Sequence, residues 1–360
     1  MLFLWNSNVL NLLKKDYPKL KILITDELIY SKNKNPLILF FFQFLNFLNI
    51  KKKINLFNIS YKFDHIFFTN FDHFDKILCL YKNPFNFCNF SGILVNPRVH
   101  QFYGKNNYKI KYSVYKFFLL KLIKNQYLKK ILVNDLLFYN FLKKLKILKK
   151  ISYFNEPVRL EHFKEKIKNK KLNNKVFKIL VYGSIRYSKS LDELIFLVKE
   201  SKTQFKIKVT VAGIHENDVR EVLSQKNLKK NGVQSNFNII NKFIYPLEEA
   251  KLFYNTDIVW CVYKNTPNGS SGVFHLSNVY KKAVATNKQG LVGWYNMKNN
   301  LGPILNFTNY EESLSSVKKI LNLHKNKKKL LHYCKNQSKL KISIKKQKNF
   351  HQVVRNLMTS

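Results

Sequence analysis

Short apolar runs that end in polar residues recur through the first half of the chain: KILITDE (21–27), DHIFFTN (64–70), GILVNP (92–97), KKILVND (129–135) and KISYFNEP (150–157). Each has the length and the boundaries of a buried strand. Between several of them lie SVYKFFLLKLIKNQYL (113–128) and LLFYNFLKKLKIL (136–148), whose apolar positions recur at helical spacing. The second half restarts the alternation. VFKILVYG (176–183), FKIKVTVAG (205–213), FNIINKF (237–243), DIVWCVY (257–263) and AVATN (283–287) read as strands. LDELIFLVKES (191–201), DVREVLSQ (218–225) and LEEAKLFYNT (247–256) read as helices, and another helix should open near Ser271 and run to about Tyr280. Strands alternating with helices predict mostly parallel sheets covered on both faces, an α/β protein.

The two series are separated by EHFKEKIKNKKLNNK (161–175), a polar, Lys-rich stretch that suits an exposed connection. The expected organisation is therefore an N-terminal domain over 1–172, a C-terminal domain over 173–335, and a basic helix or tail over 336–360. The strongest apolar run, PLILFFFQFLNFLNI (36–50), is broken by Gln43, Asn46 and Asn49 and falls short of the roughly 20 residues a spanning helix needs. It reads as a buried helix, with an interfacial segment as the alternative because Lys51, Lys52 and Lys53 follow directly. The opening MLFLWNSNVL has no leading basic residue and is interrupted by Asn6 and Asn8, so no secretory signal is expected and the cytoplasm is the expected compartment.

Composition tempers what charge suggests. The 360 residues carry a formal charge of +43, which points to nucleic acid or an anionic membrane surface. Only five of the 64 basic residues are Arg, however, while Asn reaches 44, Phe 31 and Tyr 20 against four Ala. Lys, Asn, Phe and Tyr have AT-rich codons, so the bias reads as that of an AT-rich genome. The excess is also spread evenly, with 33 basic and 10 acidic residues in 1–175 and 31 and 11 in 176–360. A nucleic-acid reader would concentrate its basicity and lean on Arg. Nucleic acid is therefore not expected as a partner. Four cysteines without a C-x-x-C pair give neither a disulfide framework nor a zinc site.

In a doubly wound sheet, ligands bind beyond the carboxyl ends of the strands. The turn GSIRYSKSLDEL (183–194) ends one strand at Gly183 and carries Arg186 and Lys189, two cations able to clamp a diphosphate. Arg186 is informative because Arg is rare here. The turn NTPNGSSGVFHLSN (265–278) places Gly269, Ser270, Ser271 and Gly272 before a helix, where free N–H groups and the positive dipole end favour an anion. The clusters FDHFDK (71–76) and HENDVRE (215–221) read as exposed loop or helix-cap residues. In the second, Val219 occupies the position where H-E-x-x-H requires His, so no metal is expected.

These turns resemble those of the GT-B glycosyltransferases, in the group that includes many bacterial surface-polysaccharide enzymes. The resemblance covers about 176–305 and rests on GSIRYSKS, on VAGIHEND with its Gly213, on LEEAKLFYNTDIVW, on SSGVF (270–274) and on GLVGWYNMKNNLG (290–302). It implies two Rossmann-like domains facing across a cleft. It also implies transfer of a sugar from a nucleoside-diphosphate sugar to a glycan or lipid-linked acceptor, with no cofactor. Gly183, Gly213, Ser270, Ser271 and Gly272 would hold the nucleotide sugar, and Arg186 and Lys189 the charge of the departing diphosphate. His100, beside Arg98 in VNPRVH at the end of a first-half strand, would face the cleft and serve as base in an inverting reaction. The family's paired glutamates are replaced by Asn268 and Leu276, the glycine after the loop lysine by Ser190. Their absence motivates a rival reading, a GT-B-like subunit that binds without turnover. The resemblance and the basic segments together suggest a cytoplasmic enzyme at the inner face of the membrane.

Overall fold

The structure is a computed structural model. It describes residues 36–154 and 176–340, except residues 73, 87, 96, 98, 104, 105, 203, 204 and 265–268. The strand expected over 21–27, the connection over 161–175 and most of the basic tail fall outside the described residues. Two compact units result, one on each side of the 155–175 segment.

In the first unit α1 (Pro36–Tyr61) precedes β1 (His65–Phe68), α2 (Asp75–Leu78), β2 (Asn89–Leu94), α3 (Val99–Phe102), α4 (Lys109–Lys124), β3 (Leu128–Val133), α5 (Leu136–Lys144) and β4 (Ile151–Tyr153). The four described strands are parallel and stand in the order β1-β2-β3-β4. Four of the five runs read as strands thus pair as such. α1 is longer than the apolar run suggested. It continues to Tyr61, so Lys51, Lys52 and Lys53 lie inside the helix, while Phe47, Ile50 and Ile54 enter the core. α5 is capped by Asp135, whose carboxylate accepts from the N–H groups of Leu137 and Phe138 at 2.9 and 3.0 Å.

The second unit runs β5 (Val176–Tyr182), α6 (Leu191–Ser201), β6 (Lys206–Ala212), α7 (Gln225–Lys230), β7 (Phe237–Ile240), α8 (Pro246–Tyr254), β8 (Ile258–Cys261), α9 (Gly272–Val279), β9 (Ala283–Thr286), α10 (Gly290–Asn299), α11 (Tyr310–Lys325) and α12 (Lys327–Lys339). Its five strands are parallel in the order β7-β6-β5-β8-β9. Alternation along β5 sends Phe177, Ile179 and Val181 into one core, which α6 and α11 cover. Leu180 and Tyr182 enter the other, which contains Phe253 of α8 and Phe274 of α9. Burial on both faces explains why these strands read as continuous apolar runs. One element moved. DVREVLSQ does not form the expected helix; Asn217–Val219 is a single 3₁₀ turn, and α7 begins only after Ser224, whose hydroxyl caps it at Asn227 N. Serine competes for backbone N–H groups inside a helix but satisfies them at its start.

Candidate functional site in the second unit

In the order β7-β6-β5-β8-β9 the winding reverses between β5 and β8. The chain leaving β5 turns into α6 on one face of the sheet, and the chain leaving β8 turns into α9 on the other. Their divergence opens a crevice at the carboxyl ends of the two strands, the place where such sheets bind ligands.

The turn after β5 is fixed by its neighbour after β6. Gly183 has φ +91° and its N–H donates to Ala212 O at 3.0 Å. Gly213 has φ +139°, and a Cβ there would lie 1.8 Å from Gly183 O, so no side chain fits between the two turns. Pairing then continues past the strands: Ile185 N donates to Ile214 O at 2.8 Å and Glu216 N to Ile185 O at 2.9 Å. The side chains complete the lock. Arg186 Nε stands 2.6 Å from Glu216 Oε1 and donates to Ser184 Oγ at 3.1 Å, and Tyr187 N donates to Asp218 Oδ2 at 3.2 Å. Glu216 and Asp218, of the HENDVRE cluster read as exposed loop and cap residues, are exposed and open the Asn217–Val219 turn, and they also bind the cation-bearing turn. The Arg186 side chain remains 56% exposed, with its Nε engaged by Glu216 and Ser184.

Lys189 is placed differently from Arg186. Its side chain is buried, and Nζ donates to Tyr182 O at 2.8 Å and stands 5.6 Å from the centre of the Tyr263 ring. Burial lowers its pKa to about 8; the neighbouring Cys261 opposes this shift and the Arg186 charge adds to it. The ammonium is therefore mostly charged at neutral pH yet held in a low-dielectric place between the ends of β5 and β8. The next residue, Ser190, adopts φ 52°, a left-handed conformation that explains why glycine is usual there in the resembling family.

On the other side of the crevice Ser271 caps α9, accepting from Phe274 N at 3.3 Å. Its hydroxyl also meets Tyr263 OH at 2.8 Å, and burial pushes the Tyr263 phenol up, so it stays protonated. Ser270 Oγ lies 2.8 Å from Nε2 of the buried His275. Gly272 opens the helix with nothing within 4 Å of the position its Cβ would take. Gly272 and Val273 lie in the first turn of α9, whose N–H groups have no carbonyl partner within the helix.

Lys264 ties the two sides together. Its N–H donates to Ser188 O at 2.8 Å. Its Nζ reaches Asp192 Oδ2 at 2.7 Å and Glu193 Oε2 at 3.5 Å, lying 4.0 Å over the Tyr187 ring. With some one residue in six a lysine, nothing in the sequence singled it out. His275 and Tyr263 were equally unmarked, since their partners come from the folded turn.

Gly183, Arg186, Lys189, Gly213, Ser270, Ser271 and Gly272 therefore all lie at the carboxyl edge of the second sheet. His100 belongs to the first unit. In α3 its ring packs against Phe138 and its Nε2 stands 3.6 Å from Asp135 Oδ2. Burial lowers its pKa to about 4, so it is neutral at pH 7, and Nδ1 is buried without a hydrogen-bond partner. If Asp135 holds the Nε2–H tautomer, Nδ1 is the nitrogen that can accept a proton. Asp135 is itself raised to about 6 by burial, against the pull of its two backbone donors. Arg98 and Asn268 lie outside the described residues, and Leu276, on α9, packs partly buried against the core. Among the described residues no group of three His, Cys, Asp or Glu side chains could hold a metal ion.

No family model and no curated protein matches the chain. Solved structures do. Sucrose-phosphate synthase from Thermosynechococcus elongatus is similar with a TM-score of 0.69 at 10% identity, over 94% of this chain and 82% of that one. Anabaena Alr3699/HepE, solved in complex with UDP, gives a TM-score of 0.62 at 12% identity over 86% and 82%. A glycosyltransferase from Rickettsia africae gives 0.58 at 16% identity over 99% and 89%.

Proposed function

We propose that this chain, whose fold is that of the GT-B glycosyltransferases, transfers a sugar from a nucleoside-diphosphate sugar to an acceptor hydroxyl. The observation that carries the reading is the meeting of two turns at the reversal point of the second sheet. One brings Arg186 and Lys189, the other the open helix start at Ser270, Ser271 and Gly272. UDP bound in the Anabaena structure supports a nucleoside diphosphate as the ligand class.

The chemistry follows from charge. As the bond between the anomeric carbon and the phosphate oxygen breaks, its electron pair goes to the diphosphate, and donors already aimed at that oxygen lower the barrier most. Arg186 offers its guanidinium, Lys189 a buried point charge, and α9 its first N–H groups and dipole. The acceptor oxygen forms the new bond and loses its proton. In an inverting reaction a base must take it, and His100 is the candidate in the first unit, though its burial and a pKa of about 4 make it a weak one. We assign the acceptor to the glycan or lipid-linked class, with no cofactor, and the enzyme to the cytoplasmic side of the membrane, in cell-surface polysaccharide synthesis.

The second reading, a binding subunit without turnover, rests on Asn268 and Leu276 standing where paired glutamates occur in many retaining members. A thermal-shift panel of nucleoside diphosphates, with single-stranded nucleic acid as comparator, separates the cases. Stabilisation by one diphosphate, lost in Arg186→Ala, is expected. An Arg186→Ala protein that responds like the parent would place the site elsewhere. Release of that diphosphate from its sugar derivatives then distinguishes an enzyme from a binding subunit.

A further inference from the structure

Tyr263 touches both sides of the crevice. It follows β8, its ring packs partly buried against the core of Leu180, Phe253 and Phe274, and the Lys189 ammonium stands 5.6 Å from the ring centre. Its backbone is held from two directions. The Tyr263 carbonyl accepts from Asn287 Nδ2 at 2.8 Å, just past β9, and the N–H of the next residue, Lys264, donates to Ser188 O. Its hydroxyl lies 2.8 Å from Ser271 Oγ, which is the one hydrogen-bond partner of that hydroxyl among the described residues.

The direction of this bond follows from the donors and acceptors present. Burial keeps the phenol protonated, and an O–H away from water needs an acceptor. Ser271 Oγ is the acceptor beside it, so Tyr263 donates. A serine hydroxyl has two lone pairs and one hydrogen. In Ser271 one lone pair accepts from Tyr263 and the other from Phe274 N at 3.3 Å, the bond that caps α9. Both acceptor positions are then filled, and the Ser271 hydrogen has no acceptor among the described residues. A phosphate oxygen only accepts, so a hydroxyl that can only donate is matched to it. Ser270 differs: its Oγ faces His275 Nε2 at 2.8 Å and can give or take the proton there according to the tautomer.

We propose that Tyr263 is a positioning residue of the diphosphate site: by filling one lone pair of Ser271, it commits the Ser271 hydroxyl to donate to a phosphate oxygen. This role rests on the reading of the crevice as the site of a nucleoside diphosphate.

The test is a double-mutant cycle, read by calorimetric titration of the full chain with UDP, GDP and ADP and by denaturant unfolding. Tyr263→Phe removes the hydroxyl and keeps the ring. It should weaken binding of the preferred diphosphate about threefold to tenfold, and Ser271→Ala should weaken it about tenfold or more. In the Ser271→Ala background, Tyr263→Phe should cost no further affinity, because the hydroxyl it commits is gone. Stability should behave differently. Ser271→Ala strands the phenol O–H, so adding Tyr263→Phe should recover part of the stability lost. The fall in affinity above pH 8 should keep its place in Tyr263→Phe, since the ring beside Lys189 remains. A parent that binds a diphosphate beside a Tyr263→Phe protein that binds it equally would overturn the role of Tyr263 and leave the site standing. So would a Tyr263→Phe loss that persists in full without the Ser271 hydroxyl. A parent that binds none of the three would overturn the reading of the site, and this role with it.

Discussion

Lys189 shows how one side chain gains a task from where it is buried. An exposed lysine keeps its charge far above neutral pH, whereas this one, enclosed near Tyr182, Cys261 and Tyr263, has a pKa of about 8. A diphosphate beside it favours the charged form, so binding and protonation are linked. The sign is definite: the free protein sheds this proton as pH rises through about 8, and the ligand must then recover it. Diphosphate affinity should therefore fall as pH rises above 8, with proton uptake on binding near pH 8. In Lys189→Met it should be weaker throughout and lose that fall. Calorimetry in buffers of different ionisation enthalpy measures both effects. Arg186 was legible in the sequence because Arg is scarce. Glu216, its partner at 2.6 Å, was not, since it comes from the turn after a different strand. With both side chains about half exposed, that pair is worth about 0–1 kcal/mol, small enough for a phosphate to compete.

Among the elements, the turns after β5 and β6 act as one piece. Their backbones touch at Gly183 and Gly213 and stay paired to Glu216, so the cation-bearing turn is held by a neighbour rather than by itself. Gly213→Ala would set a methyl group against Gly183 O in a left-handed conformation and should cost about 3 kcal/mol or more. Denaturant unfolding reads the loss, and diphosphate affinity should fall with it; an Ala variant of parental stability would mean that the two turns are not so tightly joined. Strands and the start of α9 at Ser271 were legible because buried parallel strands write continuous apolar runs and a Gly/Ser cluster writes a helix start. The position of α7 was not legible. DVREVLSQ has apolar spacing that suits a helix, but Asp218 and Glu216 are engaged by the β5 turn and Ser224 caps the helix that follows. Tertiary demands overrode the local pattern.

At the scale of the molecule, the described residues form two parallel sheets, one in each unit. The second sheet reverses its winding between β5 and β8, at whose carboxyl ends the turn with Arg186 and Lys189 and the start of α9 lie. The charge of +43 thus separates into a lysine excess spread along the chain and two placed residues of the second unit, Arg186 and Lys189. The most direct test of the central claim is calorimetric titration of the full chain with nucleoside diphosphates, beside an Arg186→Ala, Lys189→Met double variant of unchanged fold. The account predicts saturable one-to-one binding of at least one diphosphate and a loss of about a hundredfold or more in the variant, as expected for two charge-assisted contacts removed together. Absence of binding by every diphosphate, or equal binding by the double variant, would contradict it.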